Sequence, residues 1–511
     1  MRPHVTRCLS GKECASLVGL MVVVVAAVVA HAGGGEVPQI LGAEDLNLES
    51  LPKLSRSKRN LHPHARLPTP ELIRARGYPA EVHQVVTEDK YILEIHRIPH
   101  GRHESPVQGP TYKQPYHDGK TYSHTPSRPN TLNHNHHQQY PAHPYLNAGG
   151  ADSWPKERHH NTTILDGDDV GRNGRRVVFL FHGITCSSAD YVMNDPNQAL
   201  GFVMADAGYD VWIGNIRGNF YGRRHVSLSP EEEKFWDFTW SEPARYDVPA
   251  MLSYVMKVSG SKKVSYVGHS MGASLLFVSL HLYPVMNTWL HGVAALAPAA
   301  YMHNKQGPLR VVAPFIEEIE KSFRRSGKYE LLPLRPERPY LAHLCSPLSF
   351  LNPVCSFIHF LIGGPNENYV DPNYLPVIYA HTPAGTNFRI LTHLLQIVRS
   401  QKFQAFDYGQ ERNVKEYGTP SPPRYSLGSV RVPVGVFWAE NDWVVDPKDV
   451  ALTASELPWV AYNYKVPLKD FNHLDFMWAE NAAELVYKPV LEYLRKCEQR
   501  EFHHNHQNNY Y

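Results

Sequence analysis

Short, uninterrupted apolar runs recur along the chain at intervals of about one strand and one helix. They lie within residues 177–181, 208–214, 263–267, 292–300 and 432–442. Continuous apolar runs of this length are typical of strands that are buried on both faces of a parallel sheet. Helical segments lie between most of these runs, so the pattern predicts an α/β fold whose parallel sheet is flanked by helices.

Two regions depart from this pattern of buried strands and intervening helices. Residues 81–99 alternate between apolar and polar positions on either side of Glu88, Asp89 and Lys90, which predicts a β-hairpin. Residues 301–430 interrupt the alternation of strands and helices with apolar helices and Pro-rich turns. A long insertion between two core strands indicates a cap, or lid, over a site.

Residues 100–175 are rich in His, Pro, Tyr, Asn and Gly and contain few aliphatic side chains. Such a composition buries too little apolar area to offset the entropy of ordering, so we expect a disordered insertion, and a second disordered segment in the His-rich tail 498–511. Flexible His tracts do not hold ligands at fixed spacing. We therefore expect adventitious metal binding or pH-dependent charge there, with no functional metal site and no cofactor.

The N-terminus has the features of a secretory signal, with basic residues before an apolar run and the small-residue pattern Ala30-His31-Ala32 after it. We expect cleavage after Ala32 (signal 1–32); an uncleaved signal anchor is the alternative. No later stretch is long and apolar enough to predict a membrane span. Residues 33–66 are either a propeptide with a basic processing site at Lys58-Arg59 or a polar linker. We expect a secreted protein, with a lysosomal location as the alternative.

Net charge, cysteine positions and a glycosylation sequon indicate which partners and covalent modifications to expect. The 511 residues carry a net charge of +2, and no basic patch is interleaved with aromatic residues, so we expect no nucleic-acid partner. Cys345 and Cys355 lie in one segment and are predicted to form a disulfide; two separate buried thiols are the alternative. Asn161 begins the only N-glycosylation sequon of the chain.

The stretch SYVGHSMGASLL places Ser270 between two glycines, after a β-branched strand pattern and before an apolar helix. This context predicts a nucleophile elbow, in which small residues let strand and helix approach while the serine stands exposed. The alternative is a glycine-rich turn that contains a serine by chance.

A serine nucleophile needs a basic histidine and an orienting acid, which follow it in that order in this architecture. Beyond Asp442 the chain contains only His473 and three histidines of the polar tail, His503, His504 and His506. His473 is therefore the predicted base, and a structural histidine is the alternative. Asp442, placed at the end of the strand VGVFWAEND, is the predicted acid; Asp446 and Asp449 are rivals that could instead cap a helix.

An oxyanion needs two backbone donors. One is predicted to be the amide of Met271, directly after the nucleophile, and the other that of Ile184 in the HGIT turn after an early strand. His182 of the same turn is interpreted as a structural residue.

Several stretches taken together resemble the acid lipase family, which includes the gastric and lysosomal acid lipases, in its insect branch. They are TPELIRARGYPAEVHQVVTEDKYILEIHRIP, FLFHGI, GYDVWIGNIRGNFYGRRH, FWDFTWSEPARYDVPAML, YVGHSMG, HTPAGTNFRILTH, FWAENDWVVDPKDV and NHLDFMWAE. The resemblance implies an α/β-hydrolase with a lid that acts on neutral lipid esters, with Ser270, Asp442 and His473 as its triad. The chain departs from the family at Met271, where glutamine is common, and in the insertion after Pro99.

The predicted function is a secreted lipase that cleaves acylglycerols or sterol esters at a lipid interface by an acyl-enzyme mechanism. A carboxylesterase or thioesterase acting on small soluble substrates is the alternative, and a catalytically silent lipid-binding protein is a weaker one. The hydrolase core is expected to comprise residues 67–99, 176–300 and 431–497.

Overall fold

The computed structural model describes residues 62–103, 170–334, 342, 345–347, 349, 352–366 and 369–499. Several predictions therefore concern positions outside the described residues. They are the signal segment 1–32, the linker or propeptide up to residue 61, the insertion over residues 104–169 with its sequon at Asn161, and the tail from residue 500.

A nine-stranded sheet forms the centre of the described structure, in the order β1-β2-β4-β3-β6-β7-β10-β11, with β5 paired to β2. Strands β3, β4, β6, β7, β10 and β11 run parallel to their neighbours in that group, whereas β1, β2 and β5 add antiparallel pairs at one side. Strands β8 and β9 form a separate antiparallel pair. The strands are β1 (Glu81–Val86), β2 (Tyr91–Ile98), β3 (Val177–Phe181), β4 (Asp210–Ile213), β5 (Arg224–His225), β6 (Val264–His269), β7 (Leu290–Leu296), β8 (Glu330–Leu331), β9 (Thr386–Asn387), β10 (Val434–Trp438) and β11 (Val460–Lys465).

Thirteen α-helices are assigned within the described ranges. They are α1 (Thr69–Ala75), α2 (Leu200–Asp206), α3 (Val248–Ser259), α4 (Met271–Leu282), α5 (Pro308–Val312), α6 (Ile316–Arg325), α7 (Asn352–Gly363), α8 (Leu375–His381), α9 (Phe388–Ser400), α10 (Gln410–Tyr417), α11 (Pro447–Glu456), α12 (Asp475–Trp478) and α13 (Lys488–Glu498). Within the same ranges, none of the helices combines the length and apolar character that a membrane span requires. The fold is the α/β architecture with a mostly parallel sheet that the apolar runs predict.

Both faces of the sheet are covered, which explains why β3 is apolar at every position. Val177, Phe179 and Phe181 pack into one core with α3 and α4, while Val178 and Leu180 pack into a second core with α2 and α13. Successive side chains of a strand point to opposite faces, so a strand between two helical layers has no position left for a polar residue.

The predicted cap region lies between two neighbouring strands. Strands β7 and β10 pair in parallel, with Val293 opposite Val434, yet β8, β9 and helices α5 to α10 separate them in the sequence. Within this insertion the structure joins Cys345 to Cys355 in a disulfide, the pairing that the sequence predicts. Cys186 and Cys497 are buried free thiols.

The structure differs from the sequence interpretation at three element boundaries. Strand β10 ends at Trp438, so Asp442 does not end the strand but lies in the loop after it. Residues Pro63–Arg66 form a short 3₁₀ helix with Ala65 buried, so folded structure begins within the segment expected to be a linker. Helix α13 extends to Glu498, the first residue of the expected tail.

One buried carboxylate joins the two chain segments that flank the long insertion. Asp210 accepts two bonds from the Arg97 guanidinium at 2.7 and 2.8 Å, and one from Asn173 Nδ2 at 3.1 Å. Arg97 lies on β2, before the insertion, and Asn173 lies just ahead of β3, after it. Asp210 therefore connects the strand before the insertion to the segment after it.

Candidate active site

Ser270 occupies the sharp turn between β6 and α4. Its backbone adopts φ 55° and ψ −121°, a conformation that residues other than glycine rarely adopt. A Cβ atom built on Gly272 would lie 2.3 Å from Phe181 O, and one on Gly268 would lie 2.6 Å from Ala273 N. Gly268 lets β6 and α4 approach this closely, and Gly272 lets α4 pack against the end of β3. This is the geometry of a nucleophile elbow.

His473 lies on the turn between β11 and α12, and its ring is bonded to the loop after β10. His473 Nδ1 lies 2.7 Å from Asp442 Oδ2, and both side chains are buried. Asp442 Oδ1 accepts the amides of Val444 and Val445, each at 2.8 Å. An ionised carboxylate accepts only, so this contact places the ring proton on Nδ1 and leaves Nε2 as the basic nitrogen.

His269 connects the histidine turn to the elbow. His269 Nε2–H donates to the backbone carbonyl of His473 at 3.1 Å, and the two rings lie 4.8 Å apart. Burial, with a further contribution from the nearby His473, lowers the pKa of His269 well below its usual value, so this ring is neutral. Because His269 directly precedes Ser270, the contact brings His473 to the side of the nucleophile.

The two rival acids are engaged elsewhere. Asp446 caps α11 and accepts the Lys448 amide at 2.9 Å. Asp449 accepts the backbone and side-chain nitrogens of Asn304 at 2.8 and 2.9 Å. Of the three aspartates, Asp442 is the one that the structure brings to His473.

The two predicted oxyanion donors lie on either side of Ser270. Met271 is the first residue of α4, where a backbone N–H has no acceptor within the helix. Ile184 follows Gly183, and a Cβ on Gly183 would lie only 3.2 Å from the Cβ of Ser270. The turn that carries Ile184 therefore packs directly against the serine.

His182 holds this turn in place. Its Nε2 accepts the Ile216 amide at 3.3 Å and Asn219 Nδ2 at 3.1 Å, and its Nδ1–H donates to Gly183 O at 2.8 Å. Burial lowers the pKa of His182 to about 4. Both ring nitrogens are used within the fold, which is the structural role that the sequence indicates.

Sequence reasoning missed two titratable groups close to the site. Lys305 is only 1% exposed, and burial lowers its pKa to about 8 against the opposing attraction of Asp442. Burial raises the pKa of Asp475 to about 7, although the Asn472 amide and Asn366 donate to its carboxylate. The available signal was the charge itself, since Asp475 stands between apolar residues two positions after His473.

Within the part of the chain that the structure describes, no group of three or more His, Cys, Asp or Glu side chains is arranged to hold a metal ion.

Two family sequence profiles match the chain. Residues 69–128 match a partial alpha/beta-hydrolase lipase region, and residues 176–312 match the alpha/beta hydrolase fold.

Curated relatives match over most of their length. The chain is 33% identical to Lipase lipl-1 of Caenorhabditis elegans, with 85% of this chain and 92% of that protein covered. It is 36% identical to Lipase 1 of Drosophila melanogaster, with 67% and 77% covered. It is 32% identical to gastric triacylglycerol lipase of Bos taurus, with 84% and 91% covered.

Proposed function

Because the chain belongs to the α/β-hydrolase lipase family that includes the gastric lipases, we propose that it hydrolyses carboxylic esters of neutral lipids. Acylglycerols and sterol esters are the substrate class, and the bovine relative is itself named for triacylglycerol. The observation that carries the proposal is the 2.7 Å contact between His473 and Asp442, on a turn that His269 ties to the elbow of Ser270. Neither rival aspartate offers His473 an equivalent partner.

Ser270, His473 and Asp442 then act in sequence. His473 Nε2 takes the proton of Ser270 Oγ as the oxygen attacks the ester carbonyl, and Asp442 stabilises the resulting imidazolium. The amides of Ile184 and Met271 bind the oxyanion of the tetrahedral intermediate. His473 gives its proton to the departing alcohol, an acyl-enzyme remains on Ser270, and water activated by the same histidine releases the fatty acid.

The triad is largely covered in the conformation described, where Ser270 and His473 are each 4% exposed. The insertion of residues 301–430 is the proposed cap, and its opening at a lipid surface would admit substrate, because apolar faces can contact lipid there instead of one another.

The N-terminal segment supports the proposal that the protein enters the secretory pathway and acts outside the cell, with the lysosome as the alternative destination. Asn161 would then carry a glycan. Mass spectrometry of protein secreted by cultured cells tests both points. An N-terminus at residue 33 or beyond and a glycan at Asn161 support them, whereas retention of residues 1–32 contradicts cleavage.

Hydrolysis of a triolein emulsion, compared with a short-chain soluble ester, tests the activity. We expect triolein hydrolysis that rises sharply once the substrate exceeds its solubility, ordinary saturation with the soluble ester, and neither activity in Ser270→Ala. Hydrolysis of the soluble ester alone would favour a carboxylesterase. A smooth hyperbola through the solubility limit would argue against an opening cap but leave the triad unaffected.

A further inference from the structure

Residues Gly363, Gly364, Pro365 and Asn366, here called the brace segment, begin at the last residue of α7 within the inserted region. They lie between the loop that carries Asp442 and the turn that carries His473. A single carbonyl oxygen, Gly363 O, accepts the amide of Trp443 at 3.0 Å and that of His473 at 3.4 Å. Through this one oxygen, the insertion contacts both Trp443, which follows the acid Asp442, and the base His473.

Further bonds fix both sides of the brace segment. On the acid side, Asn441 Nδ2 donates to Pro365 O. On the histidine side, Asn472 Nδ2 donates to Gly364 O at 2.7 Å, and Asn366 Nδ2 lies 2.9 and 2.7 Å from the two Asp475 carboxylate oxygens. These bonds restrain the distance between the two loops, which Asn441 Nδ2 also joins directly by donating to Asp470 O at 3.1 Å.

The packing leaves no room for side chains at the two glycines. A Cβ on Gly364 would lie 2.4 Å from Asn441 O, and its φ of +120° is a conformation that favours glycine. A Cβ on Gly363 would lie 2.8 Å from Asn472 Oδ1. The brace segment therefore touches both loops through its backbone.

Asp475 connects Asn366 to the turn that carries His473. Its Oδ2 accepts the Asn472 amide at 2.7 Å, while Asn472 Oδ1 accepts the amides of Leu474 and Asp475 at 2.9 and 3.2 Å. These bonds close the turn around His473 from both ends. The side chain of Asn366, which belongs to the insertion, donates to the same carboxylate.

We infer that Asn366 is a positioning residue for the proposed reaction: through Asp475 it fixes the turn that aligns His473 with Asp442. The inserted region then completes the acid–base pair in addition to covering it. This inference rests on the proposed function, but the alignment that it describes can be measured without turnover.

Asn366→Ala removes the side-chain hydrogen bonds to Asp475, and Asn373→Ala is the matched control. Asn373 also lies in the insertion, but its side chain binds Asp371 in its own loop. On a soluble short-chain ester we expect Asn366→Ala to lower kcat by about 10- to 100-fold with KM nearly unchanged, because a small misplacement of a catalytic group costs up to about 100-fold. Asn373→Ala should retain the wild-type kcat.

Two further measurements separate positioning from a general structural effect. The double variant Asn366→Ala/Asp475→Asn should be no slower than Asp475→Asn alone, since both changes act on one contact. The low-field proton resonance of His473 Nδ1–H should weaken or shift in Asn366→Ala while the melting temperature stays close to that of the control.

Outcomes distinguish the inference from the proposed function. Additive losses in the double variant, or an Asn366→Ala protein with wild-type kcat and an unchanged His473 resonance, would overturn the inference. Absence of ester hydrolysis in the wild-type protein would instead overturn the proposed function, and the resonance would still test the alignment of His473.

Discussion

The nucleophile half and the acid–base half of the candidate site are held by different means. The elbow of Ser270 is built from consecutive residues, and its two glycines let α4 pack closely on β6 and on the end of β3. The acid–base half is assembled from two loops and a segment that is 109 positions away in sequence from Asp475. The first half is held by close backbone packing around one turn, whereas the second depends on side-chain and backbone hydrogen bonds from a distant segment.

This difference predicts how each half responds to substitution. The elbow is held by close backbone packing, so it tolerates no added atoms at its glycines. The acid–base pair loses alignment when a distant hydrogen bond is removed or when the segment that makes it is displaced. Each of the following predictions tests one side of that contrast.

Ser270→Ala removes the nucleophile and should reduce ester hydrolysis by about 10⁶-fold, because the members of a triad act as a unit. The elbow is held by backbone packing, so the melting temperature should stay close to that of the wild type. Initial rates and thermal melting of the purified variant check both parts. Turnover at a substantial fraction of the wild-type rate would exclude Ser270 as the nucleophile.

Asp442→Asn should reduce kcat by about 10⁴-fold, because an amide no longer holds His473 in the tautomer that leaves Nε2 basic. Asp446→Asn is the control from the same loop, since Asp446 caps α11 and asparagine is an equally good cap. The specific activities of the two variants show which aspartate acts as the acid of the triad. The opposite ranking would assign the acid to Asp446.

Gly272→Ala should destabilise the fold by about 1–3 kcal/mol or more, because the added Cβ meets the Phe181 and His182 carbonyl oxygens at 2.3 and 2.7 Å. Gly363→Ala should cost less stability, since its Cβ meets side-chain atoms of Asn472 and Leu474 at 2.8 to 3.1 Å rather than backbone oxygens. The second variant should instead lower kcat by shifting the histidine turn. Chemical denaturation and kcat measured side by side test this reversal, and equal stability losses would remove the contrast between the halves.

Titration of two buried groups should give opposite pH dependences of stability. The pKa of His182 is lowered to about 4 from 6.5, so the unfolded chain binds more protons between these values and stability is lost as pH falls. The pKa of Asp475 is raised to about 7 from 3.8, so the folded chain binds more protons and stability is lost as pH rises through that range.

Melting temperatures between pH 4 and 6.5 test these signs in His182→Asn and Asp475→Asn. Relative to wild type, the first variant should lose less stability on acidification and the second should lose more. Parallel curves for all three proteins would show that neither group titrates as described.

The extent of sequence-based prediction follows the same division. The hairpin β1–β2, the buried strand β3 and the elbow around Ser270 could be predicted because each depends on neighbouring residues. Asp442 was found by its position after an apolar run, although that strand ends four residues earlier, at Trp438. Asp475 offers one local signal, a charge between apolar residues, but its bond to Asn366 offers none, since hydrogen bonds between distant segments have no periodicity.

The carboxylate of Asp210, which binds Arg97 before the long insertion and Asn173 after it, has a consequence for how this gene can change. Once the segments at the two ends of a flexible loop are fixed, each doubling of its length costs only about 0.6 kcal/mol. Codons added between β2 and β3 are therefore nearly neutral for folding, so selection there acts on whatever the added residues do. An affinity tag or a reporter domain placed at that position should leave the melting temperature of the hydrolase nearly unchanged.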